Sequence, residues 1–206
     1  ESALQQFGYS FWPREWSFYA YTFLFDQMKD KMLQSLFVTV LVTVLGTAIN
    51  STATSLYAYA ISRNNFPFRR FFTIFCLITM LFSPGMIANY LVMTNLLQLK
   101  DTIWALILPG AVPIFSVILV MNFFRGIPKA LEEAAIIDGA TPLQVLFWVF
   151  IPISLPSLAT VSLFSIVGTW NDFMGGLIYI TKAENYPLMT YIQALNVNIA
   201  DAIKNN

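Results

Sequence analysis

Three consecutive stretches decide the fold: TIWALILPGAVPIFSVILVMNFF (Thr102–Phe124), RGIPKALEEAAIID (Arg125–Asp138) and GATPLQVLFWVFIPISLPSLATVSLFSIVGTWN (Gly139–Asn171). The outer two contain no charged residue. The middle one carries Glu132, Glu133 and Asp138. Each uncharged run is longer than the roughly 20 residues a helix needs to cross the hydrocarbon core. A polar island is therefore held between two apolar spans.

Working outward, Met32–Ser62 and Phe71–Leu99 are two further uncharged runs. None of the four alternates in hydrophobicity as a barrel strand would. The chain is 57% hydrophobic and 11% charged, against about 25% charged in ordinary soluble domains. These features specify an all-α, polytopic helical membrane protein. Four spans are expected: about Gln34–Ile61, Phe71–Leu97, Thr102–Phe124 and Leu155–Trp170. Residues 1–206 form one transmembrane domain, with no repeat and no separate soluble unit. The sequence begins at Glu1 rather than Met and ends in a polar run, which reads as a chain cut at both ends.

Composition also excludes classes. Eleven basic and eleven acidic residues give zero net charge, which argues against a nucleic-acid partner. There is no histidine, and the single cysteine, Cys76, lies in an apolar run. No zinc site, disulfide or Cys/His catalytic pair can be assembled. No G-x-x-x-x-G-K-[ST] loop is present, so ATP is not bound by that route. No span has a charge at its middle, which disfavours proton coupling and ion conduction.

Arg63, Arg69 and Arg70 crowd a short loop with no acid. The positive-inside rule places that loop in the cytoplasm. Alternation then puts Lys100-Asp101 outside and the polar island, residues 125–152, inside. Trp170, Asp172 and the tail from Lys182 fall outside again. The aromatic opening, with Pro13, Trp12, Trp16, Tyr19 and Tyr21, suits a membrane–water interface, with Ser17 capping a short helix from Phe18. The first long span is rich in small and hydroxyl residues, among them Thr39, Thr43, Gly46, Thr47 and Ser51, which permit close helix packing in lipid. Ser83-Pro84-Gly85 breaks the second span, and Asp101 or Thr102 is positioned to cap the third.

The island has its own punctuation. Pro128 suits the first turn of a short helix ending near Asp138. Gly139 suits a left-handed closing residue. Thr141, with Pro142 after it and Gln144 three residues on, is a capping-box start for a second helix. Pro152 and Pro156 mark its exit into the last span.

The spacing E-A-A-x-x-x-G at Glu133–Gly139, followed by V-x-I-P at Val149–Pro152, resembles the EAA loop of ABC importer permeases. AYAISRNNFPFRR (Ala58–Arg70), TMLFSPGMIANYLV (Thr79–Val92) and VGTWNDFMGGLIYI (Val167–Ile180) are similar to the carbohydrate branch, including the second maltose-system permease subunit. The opening FWPREWSFYAYTFLF is similar to permeases for complex polysaccharide fragments. The resemblance covers nearly the whole chain and implies the type I ABC importer permease fold, which has six spans where four are visible here. It implies a bacterial cytoplasmic (inner) membrane location and a transport subunit rather than an enzyme. It further implies a second permease subunit of different sequence, two ATPase subunits holding ATP and Mg, and an extracytoplasmic solute-binding protein. The cargo would be an oligosaccharide, with acidic ones such as alginate or pectin fragments among the options. A non-sugar solute, or a secondary transporter or channel, are the alternatives.

In that framework Glu132, Glu133, Ala134, Ala135, Asp138, Gly139 and Pro152 are expected to couple the chain to the ATPase. Asn89, Tyr90, Asn122, Trp170, Asn171 and Asp172 are candidates for the substrate path, because sugars are held by aromatic faces, amides and hydroxyls.

Overall fold

The computed structural model describes residues 29–82 and 84–204, with side chains given up to residue 196. The aromatic opening segment and Ser83 lie outside the described residues. All regular elements among the described residues are helical. Helix α1 (Lys29–Ser62) is long and apolar enough to cross a membrane without interruption. Three further helix pairs, each bent at a short break, are long and apolar enough to cross a membrane when each pair is taken together. The first pair is α2 (Arg69–Leu81) with α3 (Gly85–Leu91), which runs on through a wide π turn at Val92–Leu96. The second is α4 (Ile103–Ile107, tightening over Leu108–Gly110) with α5 (Ile114–Gly126). The surface helix α6 (Lys129–Ile137) follows. In the third pair, α7 (Pro142–Val145) continues through a π turn at Leu146–Phe150 and a last turn at Ile151–Ile153 into α8 (Leu155–Asn171). Helices α9 (Met174–Tyr179) and α10 (Leu188–Lys204) complete the described chain.

The breaks have local causes. Proline removes a donor from the helical ladder and clashes with the preceding turn. Pro109 and Pro113 flank the 47° bend between α4 and α5. Pro152 and Pro156 flank the 84° bend at Ser154. Gly85, at φ +77, occupies a left-handed conformation just after Pro84.

Helix α1 is the central post, packed against α5 and α8. Its buried face reads Ser35, Thr39, Thr43, Gly46, Asn50, Thr54, Ala58 and Ser62, at helical spacing. Its exposed face carries Phe37, Val40 and Val44. A water-soluble helix would show the reverse. In lipid, apolar side chains face the acyl chains, and small or hydroxyl residues let backbones approach. Hydroxyl pairs join α1 to α8: Ser51 Oγ lies 2.9 Å from Ser162 Oγ, and Thr47 Oγ1 donates to Ser165 Oγ at 3.4 Å.

An apolar core sits at the end of the bundle that carries the polar island. Ala58, Ile61, Val117, Val120, Phe124, Val145, Leu146, Phe150 and Val161 are all buried there. Phe124, Phe150 and the half-buried Tyr59 meet edge to face, with centroids 5.2 to 6.4 Å apart. The island is thus built onto the core rather than appended to it.

Three details differ from the sequence reading. The third span is two helices and not one. Thr102 stands at the N-terminus of α4, but its hydroxyl donates to Leu99 O, while Asp101 accepts from Thr181 across the outer loop. The tail from Lys182, to which the sequence reading assigned no element, is largely helix α10. It is tied to α1 where Leu188 N donates to Thr39 Oγ1 at 2.8 Å.

Candidate functional site

The surface loop is assembled by capping rules that act over a few residues. Helix α6 starts after Pro128 and stops at Gly139. There Ala140 N bonds Ala135 O, and Gly139 N bonds Ile136 O, both at 3.0 Å. That is the Schellman pattern, and it requires the left-handed conformation that Gly139 adopts at φ +83. Thr141 and Gln144 then form both halves of the expected capping box. Ala135 and Ala140 pack inward on the core.

The expected coupling residues divide by direction. Glu133, Ala134, Asp138 and Gly139 face outward, and Ile136, Ile137, Leu143 and Trp148 are exposed around them. An acid beside large exposed apolar side chains is the composition of a docking surface. Pro152 lies in the last turn before the bend. Glu132 points the other way and forms an ion pair with Arg63 at the end of α1.

Arg63 was not among the sequence candidates, yet it is the hub. Its guanidinium lies 4.3 Å from the Phe150 ring centroid and 5.3 Å from that of Tyr59. Nη2 donates to Phe124 O at 3.4 Å. One side chain therefore joins α1, α5, α6 and the π turn after α7. Arginine suits this role because its planar cation can stack on rings while its fork binds a carboxylate. Beside it lies a cleft of about 400 Å³, lined among others by Arg69, Arg125, Lys129 and Glu133.

A second cavity, of about 710 Å³, opens toward the far end of the spans. Asn50 and Arg63 are separated along α1 by roughly 20 Å at the helical rise. The cavity is lined by the middle of α1, the start of α5 and the end of α8. Of the path candidates, Asn171 and Asp172 line it. Tyr90 reaches it indirectly, stacked on the lining Tyr179 with centroids 6.2 Å apart. Asn89, Asn122 and Trp170 are not part of its wall. Asn50 and Tyr179 were missed. The available signal for Asn50 was an amide near the middle of a long apolar span, where polar groups are costly.

The family model for the inner membrane component of binding-protein-dependent transport systems matches residues 51–203. The chain belongs to this family. A solved structure of a bacterial ABC transporter involved in the import of the acidic polysaccharide alginate superposes with a TM-score of 0.85 at 32% identity. The match covers 99% of this chain and 74% of that one. The chain thus has the ABC importer permease fold. It is 40% identical over 148 residues to the polygalacturonan/rhamnogalacturonan transport system permease protein YtcP of Bacillus subtilis, covering 72% of this chain and 51% of YtcP. It is 36% identical over 197 residues to Protein LplC of the same organism, covering 96% of this chain and 66% of LplC. The chain spans between half and two thirds of the length of these curated relatives. Among the described residues, no group of histidine, cysteine and acidic side chains is placed to hold a metal ion.

Proposed function

We propose that the full protein is the permease subunit of an ATP-driven ABC importer that carries an oligosaccharide across the bacterial cytoplasmic membrane. It would work with a second permease of different sequence, two ATPase subunits and a binding protein outside. ATP and Mg would be held by the ATPase. The observation that carries this reading is the surface loop. It is a short helix, closed at its C-terminus by Gly139, that presents Glu133 and a cluster of exposed apolar side chains, and it is anchored on the core beneath.

The geometry supports a route for the coupling. An ATPase that shifts α6 pulls on α1 through Glu132 and Arg63. It also pulls on α8 through the π turn and the bend at Ser154. Helices α1 and α8 both line the far cavity. A rigid-body movement at one end therefore opens or closes the other, which is alternating access between two states. The hydroxyl-rich and aromatic lining suits a sugar, and the names of YtcP and of the alginate importer support that class.

The test is co-purification of the neighbouring ATPase with the full-length protein and with its Gly139→Asp variant. The wild type should retain the ATPase. The variant should insert in the membrane but retain several-fold less. Equal retention would contradict the docking role.

A further inference from the structure

The far cavity carries charge of one sign and an unmatched buried acceptor. Asn50 is 3% exposed, and its Nδ2 donates to Gly110 O at 3.0 Å. Its Oδ1 is buried and without a partner. Asn171 Nδ2 donates to Val167 O at 2.8 Å, which leaves its oxygen available. Asp172 accepts one bond, from Gly175 N at 3.0 Å, and retains further lone pairs. Among the described residues, no lysine or arginine lines this cavity. Arg63, Arg69, Arg125 and Lys129 gather instead at the opposite, loop end.

The lining thus offers hydroxyls, free amide oxygens and a negative charge, with no cation among its described residues. Its complement is an uncharged ligand surface that can donate hydrogen bonds. Sugar hydroxyls meet that requirement, and Tyr179 and Phe164 supply faces for the C–H side of a pyranose ring. A uronate carboxylate accepts hydrogen bonds but cannot donate them, so it would leave Asn50 Oδ1 unmatched, would find no cation here and would be repelled by Asp172. A buried acceptor left unmatched is a penalty, not a neutral contact.

We infer that this subunit's half of the path receives the neutral, hydroxyl-bearing face of the sugar chain, and that Asp172 and Asn50 discriminate against uronate carboxylates lying on their side. The inference rests on the oligosaccharide-importer reading. If the imported fragment is acidic, its carboxylates face the sibling permease, which must supply the cations.

The experiment uses the full importer in proteoliposomes. The probes are a short oligogalacturonide and its methyl ester, which share a skeleton and differ in charge. Loading of the binding protein is matched by titration for each probe, so the ratio of uptake rates reports the path alone. Asp172→Asn, nearly isosteric, should raise the acid-to-ester ratio about tenfold by removing the like charge. Asn50→Asp should lower the ratio by a similar factor. Uptake of both probes with a ratio that neither variant moves overturns the inference alone. If the wild type assembles with its ATPase but takes up neither probe, the oligosaccharide reading falls and the inference falls with it.

Discussion

Gly139 separates two kinds of cost. Nothing lies within 4 Å of where its Cβ would be, so Gly139→Ala meets no steric obstacle. The cost is conformational only, about 1 kcal/mol for a left-handed alanine. The isolated protein should lose a few degrees in Tm, while ATPase retention falls less than for Gly139→Asp. Arg63 and Glu132 are 16% and 23% exposed, between the surface and buried classes. Removing one partner should cost about 1–2 kcal/mol. Arg63→Lys should recover only part of this, since it keeps the charge but loses the ring stacking. The double exchange Arg63→Glu with Glu132→Arg should restore the ion pair but not the stacking. Measuring transport per ATP hydrolysed across this set tests Arg63 as a coupling residue; unchanged stoichiometry in Arg63→Ala would refute that role. Asp101 adds a pH signature in the outer loop. Its carboxylate accepts from the hydroxyl and then the N–H of Thr181, which hold its pKa below the ordinary value. A depressed folded-state pKa stabilises above the unfolded value, near 4, and that contribution is lost as pH falls through the folded one. Asp101→Asn should therefore lower Tm at pH 7 and have a smaller effect at pH 3. Asparagine tolerates the positive φ of 61° at this position, so backbone strain does not obscure the comparison. Legibility at this scale follows sequence distance. The Gly139 closure and the Thr141–Gln144 box act over three or four residues and were readable. The Arg63–Glu132 pair joins residues 69 apart, and no local rule points to it.

At the scale of elements, the spans could be read because lipid requires long uncharged runs. Their bends were only partly readable. Prolines marked the positions, but whether a proline kinks one helix or separates two depends on what packs against the freed carbonyls. The inward face of α1 could be read as small and polar; its partners could not. Two glycines test how tightly the helices meet. At Gly46 an added Cβ would come no closer than 4.0 Å, to Ile107 Cγ1, so Gly46→Ala should leave stability unchanged or slightly raised. At Gly176 it would fall 2.0 Å from Thr190 Oγ1 and 2.9 Å from Thr190 Cβ, on α10. Gly176→Ala must push α10 away from α9 and should cost about 1–3 kcal/mol. Thermal unfolding in detergent distinguishes the two. Equal losses would show that α9 and α10 are not packed as described.

For the whole molecule, the arrangement is polarised. Cations, core and the exposed face of α6 lie at one end, and a cavity with no lysine or arginine among its described lining lies at the other. Helices α1 and α8 connect them. Composition excluded covalent chemistry by histidine or by a cysteine pair, and the loop pattern indicated the family. The cavity wall was less legible, because it draws single residues from helices far apart in the chain. The most direct measurement is ATP hydrolysis by the full-length protein reconstituted with its neighbouring permease, ATPase and binding protein. Hydrolysis should rise only when sugar-loaded binding protein is added, and the rise should be lost in Gly139→Asp. Failure of the ATPase to assemble with this chain, or hydrolysis indifferent to loaded binding protein, would contradict the account.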